Sequence, residues 1–104
     1  MEKDFDGFTV ATPVETHFEI AKYLLEQGKH VLVEKPITMT ADEAKTLKRM
    51  AEEQGVNLMV GHLLLFHPAI RKMKSLITGG KIGKLQYMYS NRLNRAEKNH
   101  RPRP

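Results

Sequence analysis

The sequence predicts an α/β fold built on a parallel sheet. Short apolar runs alternate with segments of helical periodicity in the order β-α-β-α-β-α-β. The helical segments are about 12 residues long, the length that joins parallel strands by right-handed crossovers. The first three apolar runs carry no acidic, Lys or Arg side chain. Such strands are expected in a sheet that helices cover on both faces.

The first strand is predicted at residues 8–11 and ends at Thr12 and Pro13. Thr16 then opens a segment whose apolar residues share one broad helical face. This helix is expected to end at Gly28, because a glycine accepts the left-handed conformation of a C-terminal cap.

The second strand is predicted at residues 30–33. Thr40 and Glu43 have the spacing of a capping box, in which each side chain accepts a hydrogen bond from the other residue's backbone. The second helix therefore begins after Thr40, and Gly55 is expected to end it. The third strand is predicted at residues 57–60.

Pro68 is well suited to the first position of a third helix, where its missing N–H costs nothing. Residues 85–93 are rich in β-formers and predict a fourth strand. Residues 95–104 are polar, contain two prolines and show no periodicity. They are predicted to form a disordered basic tail.

The net charge of +5 comes from 17 Lys and Arg against 12 Asp and Glu in 104 residues. It is unevenly placed, since residues 1–83 hold 11 basic and 11 acidic side chains and residues 84–104 hold six and one. A small module that binds nucleic acid through its tail is therefore one alternative, with salt-dependent binding that is lost when residues 95–104 are deleted. The tail lacks interleaved aromatic residues, so nucleic acid is not the expected partner. A non-catalytic dimerisation piece using residues 85–93 is another alternative.

Several classes of protein are disfavoured by composition. No apolar run approaches the roughly 18 residues of a membrane-spanning helix, and the polar N-terminus has no signal-peptide pattern. There is no Cys, so disulfides, thiolate nucleophiles and Cys-ligated zinc are excluded. His62 and His67 are five residues apart, which does not suit a metal pair on one helical face. A cytoplasmic protein without a metal site is expected.

Polar or small groups follow each of the first three predicted strands. Ligands of open parallel sheets bind beyond the carboxyl ends of the strands. The three groups should therefore face one crevice, and they are Thr12-Pro13, Glu34-Lys35-Pro36 and Gly61-His62.

Lys35 is the strongest candidate in this crevice. A Lys held between a buried strand and Pro36 can hydrogen-bond a ribose or a substrate hydroxyl and serve in proton transfer. The alternative is a solvated Lys paired with Glu34.

Two residues near the start of the first helix also have two interpretations each. Thr16 either leaves backbone N–H groups free to bind an anion or caps its own helix. The helix cap is the favoured interpretation. His17, in the first helical turn, either reaches the crevice or lies at the surface.

Three segments together resemble the Gfo/Idh/MocA oxidoreductases. The resemblance rests on Ala-Thr-Pro at 11–13 with His17, on Gly-Lys-His-Val-Leu-Val-Glu-Lys-Pro at 28–36, and on Gly-His followed by Phe-His-Pro-Ala within 61–69. Glu-Lys-Pro behind a strand, at this distance from Thr-Pro, is a specific signature. Within the family, residues 61–69 and 90–94 most resemble the nucleotide-sugar branch, such as UDP-N-acetylglucosamine 3-dehydrogenases.

The resemblance implies the second half of a Rossmann-type parallel sheet (β-α-β-α-β) followed by the first helix and strand of an α/β substrate domain. Residues 1–62 would be a partial NAD(P)-binding domain, and residues 63–94 the start of a substrate and dimerisation domain. The implied activity is hydride transfer between NAD or NADP and a sugar or nucleotide-sugar hydroxyl. A homo-oligomer formed through the second domain is also implied.

The resemblance also implies roles for individual residues. Thr12 and Pro13 would line the nicotinamide side of the cofactor site, and His17 would lie beside it. Glu34 and Lys35 would contact the ribose, with Lys35 also close to the reacting hydroxyl. Two further residues would face the substrate, and they are His62 and Arg92.

The sequence departs from the family pattern in one important respect. Members begin with a Gly-x-Gly-x-x-Gly loop that holds the cofactor pyrophosphate, and the 104 residues contain no such loop. The family's later catalytic Asp and His would lie beyond residue 104. The chain is therefore expected to be an internal piece of a dehydrogenase, marginally stable, inactive alone and weak in NAD binding.

Overall fold

The structure is a computed structural model, and it describes residues 5–93. Its regular elements alternate between strand and helix as the sequence predicts. They are β1 (Gly7–Val10), α1 (His17–Glu26), β2 (His30–Val33), α2 (Ala41–Gln54), β3 (Leu58–Val60) and α3 (Pro68–Thr78), with 3₁₀ turns at Val14–Thr16 and Leu63–Phe66. The described chain forms two compact units, the first ending at His67 and the second beginning at Pro68.

The first unit is a parallel sheet in the order β1-β2-β3. Phe8 lies opposite Val31, and Val31 lies opposite Leu58. At the carboxyl ends, Val10, Val33 and Val60 form one row across the sheet. The α/β class, the parallel pairing and the two crossover helices are thus confirmed.

The core lies between one face of the sheet and the helices α1 and α2, which pack against each other. Burial alternates along the strands, and within the described part of the first unit no helix covers the other face. The expected coverage of both faces is therefore not found in that part of the first unit. Two successive right-handed crossovers that step the same way across a sheet place both helices on the same side. The fully buried hydrophobic residues are Val10, Ala21, Leu24, Leu25, Val31, Val33, Leu47 and Ala51.

The predicted capping box is present at the start of α2. Thr40 Oγ1 accepts a hydrogen bond from the Glu43 N–H at 3.3 Å, and Glu43 Oε2 accepts one from the Thr40 N–H at 3.2 Å. At the other end Gly55 has φ of 65°, the left-handed conformation that a glycine adopts at no steric cost. These local signals fix the length of α2.

Replacing Thr40 with alanine is expected to lower the free energy of unfolding by about 1 kcal/mol, because the Glu43 N–H loses its side-chain acceptor. The matched control is Thr46→Ala within α2. The Thr46 hydroxyl only donates to the Asp42 carbonyl, and alanine has the better helix propensity. Urea denaturation of both variants measures the difference. Equal stabilities for the two variants would contradict a stabilising role for the cap.

The second unit contains the amphipathic helix α3, which begins at Pro68 as predicted. The predicted fourth strand at residues 85–93 is absent, and these residues are exposed without regular structure. A strand needs a neighbour with which to exchange backbone hydrogen bonds, and the second unit offers no other strand among its described residues. Arg92 therefore does not lie on a strand. The predicted tail at residues 95–104 lies outside the described residues.

None of the helices in the described part of the chain is long and apolar enough to cross a lipid bilayer.

Candidate functional site

The carboxyl ends of the three strands bring the predicted site segments to one edge of the sheet. The hydrogen-bond ladder runs one residue past the valine row, since the Glu34 N–H donates to the Val10 carbonyl and the Gly61 N–H to the Val33 carbonyl, both at 2.9 Å. The three segments therefore share one edge of the sheet, and the prediction that their side chains face one crevice stays a prediction. Their spacing is set by the backbone, and no side-chain contact is needed to align them.

The segment after β1 is a tight turn organised by Thr16. The Thr16 N–H donates to the Pro13 carbonyl at 2.9 Å. The Thr16 hydroxyl lies 2.7 Å from that carbonyl oxygen and 2.6 Å from Thr12 Oγ1. Thr16 stands at the N-cap position of α1 as predicted, but its side chain makes no capping bond there. The hydroxyl instead holds the exposed Thr12 side chain in place.

The segment after β2 carries an acidic and a basic side chain in different settings. Glu34 is half-buried, and its Oε2 accepts a hydrogen bond from the Lys35 N–H at 3.3 Å. The Lys35 side chain is exposed, and within residues 5–93 no ion pair joins its ammonium to Glu34. The alternative of a Lys35–Glu34 ion pair is therefore not supported. The Lys35–Pro36 peptide bond is cis.

Glu34 also lies directly against the segment after β3. A Cβ placed on the buried Gly61 would stand 3.0 Å from Glu34 Oε1 and 3.3 Å from Oε2. Few side chains approach so closely, so the carboxylate would have to shift slightly to make room for a larger residue at 61. Gly61 thus lets Glu34 lie flat across the strand end.

His17 is the most deeply buried polar side chain among the described residues, with 1% of its surface exposed. Its Nδ1 lies 2.8 Å from the Pro36 carbonyl oxygen and its Nε2 lies 2.8 Å from the Thr12 carbonyl oxygen. The alternative of a surface histidine is wrong. The ring joins the segment after β1 to the segment after β2.

The two predicted substrate residues belong to different units of the chain. His62 is exposed at the end of β3, where its N–H donates to the Val60 carbonyl at 2.8 Å. Arg92 is exposed in the second unit. No group of three or more acidic or histidine side chains in residues 5–93 is arranged to hold a metal ion.

A model of an oxidoreductase family with an NAD-binding Rossmann fold, the Gfo/Idh/MocA model, matches residues 1–62. The chain belongs to the Gfo/Idh/MocA oxidoreductase family. The predicted strand-end signature at residues 11–13 and 28–36 lies within the matched range.

Among its relatives is the UDP-N-acetylglucosamine 3-dehydrogenase of Acidithiobacillus ferrooxidans, 34% identical over 90 residues, which are 86% of this chain and 28% of the relative. The NAD⁺-dependent scyllo-inositol 2-dehydrogenase of Bacillus subtilis is 37% identical over 82 residues, 79% of this chain and 24% of the relative. The chain therefore spans about a quarter of the length of these relatives. The predicted nucleotide-sugar branch is represented by the first of them.

Solved structures also match. The structure of an inositol dehydrogenase homologue from Azotobacter vinelandii, complexed with NADH and myo-inositol, aligns with a TM-score of 0.73 and 35% identity. The alignment covers 77% of this chain and 21% of that structure. Together with the family match, it confirms the Rossmann-type α/β fold.

Proposed function

We propose that this chain supplies the nicotinamide side of an NAD(P) site in an oxidoreductase that acts on a sugar or nucleotide-sugar hydroxyl. The observation that carries the proposal is the row of strand ends. It places Thr12, Glu34 and Gly61 at one edge of a parallel sheet in a member of an NAD-binding family. Ligands of such sheets bind outside this edge.

The side chains at this edge fit a ribose and a carboxamide. The carboxylate of Glu34 accepts hydrogen bonds from a ribose diol, and the exposed ammonium of Lys35 donates to a hydroxyl. The Thr12 hydroxyl, held by Thr16, offers a fixed polar contact to the nicotinamide, with Pro13 as an apolar wall. The close packing of the Glu34 carboxylate against Gly61 gives that carboxylate a defined position.

A nicotinamide held at this edge by Thr12, Glu34 and Lys35 would supply the acceptor for a hydride from the carbon that bears the substrate hydroxyl. The chain's own residues position the reactants and manage the hydroxyl proton. Lys35 is proposed as the catalytic residue, because its side chain projects from the strand end and can orient and exchange that proton. His62 and Arg92 are proposed to contact the substrate. His17 is proposed to act on the cofactor site through the segments it joins.

The proposal predicts which half of the cofactor this chain recognises. Nicotinamide mononucleotide is expected to bind to the 104-residue chain nearly as well as NAD⁺ does, and AMP is not. Both affinities are expected to be weak, roughly millimolar, which corresponds to about 4 kcal/mol of binding free energy. The sequence contains no Gly-rich loop to hold the pyrophosphate.

The measurement is an NMR titration that follows the backbone amide signals of Thr12, Lys35 and Gly61. Lys35→Ala and Glu34→Ala should weaken binding, whereas the matched control Lys45→Ala, on the exposed surface of α2, should not. Sub-micromolar NAD⁺ binding would overturn the prediction of a weak site. Equal binding of AMP and nicotinamide mononucleotide would overturn the assignment of the nicotinamide half.

Other functional interpretations stay predictions. A nucleic-acid module predicts binding that falls steeply with salt and depends on residues 95–104. A dimerisation piece predicts self-association in the absence of any ligand. The homo-oligomer and the cytoplasmic location also stay predictions, and analytical ultracentrifugation of the chain addresses the first of these.

A further inference from the structure

The buried ring of His17 stands between two segments of the proposed cofactor site. Nε2 faces the carbonyl oxygen of Thr12, and Nδ1 faces that of Pro36, both at 2.8 Å. Thr12 itself carries a hydroxyl proposed to contact the cofactor, and Lys35 directly precedes Pro36 in the chain. The two carbonyl groups that His17 contacts therefore belong to, or directly follow, the residues proposed to bind the cofactor, Thr12 and Lys35.

The chemistry of these contacts constrains the ring. Backbone carbonyl oxygens accept hydrogen bonds and cannot donate them. A neutral imidazole has one N–H, and the tautomer decides which nitrogen carries it. The N–H donates to one of the two oxygens, and because the ring lies between both carbonyls, its width sets the distance between them.

We propose that His17 is a positioning residue whose buried ring, set between the Thr12 and Pro36 carbonyl oxygens, fixes the distance between the Thr12 and Lys35 segments. The proposal rests on the proposed function, in which these two segments hold the same cofactor. His17 would then act without touching the cofactor, because nearly all of its surface is covered. A histidine that only filled space in the core would need neither carbonyl contact.

The first test examines the ring of the wild-type chain without any ligand. In the ¹⁵N-histidine-labelled chain, we expect a slowly exchanging ring N–H proton for His17. The ring protons should show through-space contacts to both Thr12 and Pro36. A rapidly exchanging ring N–H, or contacts to only one of the two segments, would overturn the proposal.

The second test uses chemical rescue of His17→Ala. The amide signals of Thr12 and Lys35 are expected to move in this variant, and affinity for NAD⁺ to fall about tenfold, the effect of losing one hydrogen bond. Imidazole, which has the size of the lost ring and one N–H, should restore the signals. The matched reagent 1-methylimidazole has no N–H in its neutral form and should not. Unmoved signals in the variant, or equal rescue by both reagents, would overturn the proposal.

A further variant and a control keep the result interpretable. If His17→Ala does not fold, His17→Gln replaces it. Its amide is expected to hold one of the two segments and release the other, and wild-type signals in both would overturn the proposal.

The control is His30→Ala at the opposite end of β2, where Nδ1 accepts a hydrogen bond from the Asn57 N–H at 3.0 Å. This variant should leave Thr12 and Lys35 unmoved. The amide signals measured without ligand test the positioning role of His17. The binding of NAD⁺ to the wild-type chain tests the proposed function separately.

Discussion

Replacing Leu47 with alanine is expected to leave most of the chain unfolded at 25 °C. Leu47 is fully buried in α2, within the single core that α1, α2 and one face of the sheet enclose. Leu→Ala at such a site costs roughly 2–5 kcal/mol, from the lost transfer free energy and the cavity left behind. Native domains are stable by only about 5–15 kcal/mol, and small ones lie at the low end.

The stability of this chain is expected to be lower still, for a reason visible in the sheet. Within the described part of the first unit one face of the sheet has no helix against it, so β1, β2 and β3 bury most of their apolar surface there on one side. The core therefore has no second layer to absorb the loss of Leu47.

Far-ultraviolet circular dichroism and urea denaturation measure the effect of Leu47→Ala. The matched control is Met59→Ala, a large apolar residue on the open face of β3 that is 51% exposed. It should cost less than about 1 kcal/mol, because little of its surface leaves water on folding. A Leu47→Ala chain that keeps the stability of Met59→Ala would refute the assignment of the core to this face.

Much of the first unit could be predicted from local signals. The capping box of Thr40 and Glu43 and the glycine at position 55 determine α2 through hydrogen bonds within a few residues. The apolar run at His30–Val33 matches β2 residue for residue. Such features need no knowledge of distant parts of the chain, so a sequence pattern is enough to find them.

The predictions that failed depend on neighbours that a local pattern does not contain. Residues 85–93 have β-forming composition, yet a strand forms only beside another strand, and none is available among the described residues of the second unit. Coverage of both sheet faces likewise depends on where helices pack. Composition indicates a tendency to form strand, whereas pairing is a property of the fold.

The candidate site likewise has features that a sequence pattern predicts and features that depend on distant parts of the chain. The Thr12, Glu34 and Gly61 segments were found because the strand ends of a parallel sheet converge by topology. The burial of His17 was missed, because a histidine in the first turn of a helix has no sequence signal for two carbonyl partners on separate segments. Thr16 was assigned to the helix cap, although its spacing of four from Thr12 also permits the contact that the structure shows.

Replacing Gly61 with alanine is expected to act on the proposed cofactor site through Glu34. The new Cβ would stand 3.0 Å from Glu34 Oε1 and 3.2 Å from the carboxyl carbon. Gly61 does not have a left-handed backbone, so alanine is not strained at this position by its φ angle. The flexible end of Glu34 is therefore expected to move, while the strands stay in place.

The expected result is a loss of affinity for nicotinamide mononucleotide as large as that caused by Glu34→Ala, about tenfold, the effect of one hydrogen bond to a charged group. The urea midpoint of Gly61→Ala should stay close to the wild-type value. NMR titration measures the affinity, and the Glu34 side-chain signals report the movement directly.

A double-mutant cycle decides whether the two residues act as one unit. If Gly61 acts only by leaving room for the Glu34 carboxylate, alanine at 61 has no further effect once Glu34 is itself alanine, so the two losses should not add. The matched control is Gly7→Ala at the amino end of β1, where the nearest atom to a new Cβ is the His30 carbonyl oxygen at an ordinary 3.4 Å. It should bind as the wild type does. Additive losses at 61 and 34 would show that Gly61 contacts the ligand itself, and the carboxylate of Glu34 would then no longer explain why a glycine stands at the end of β3.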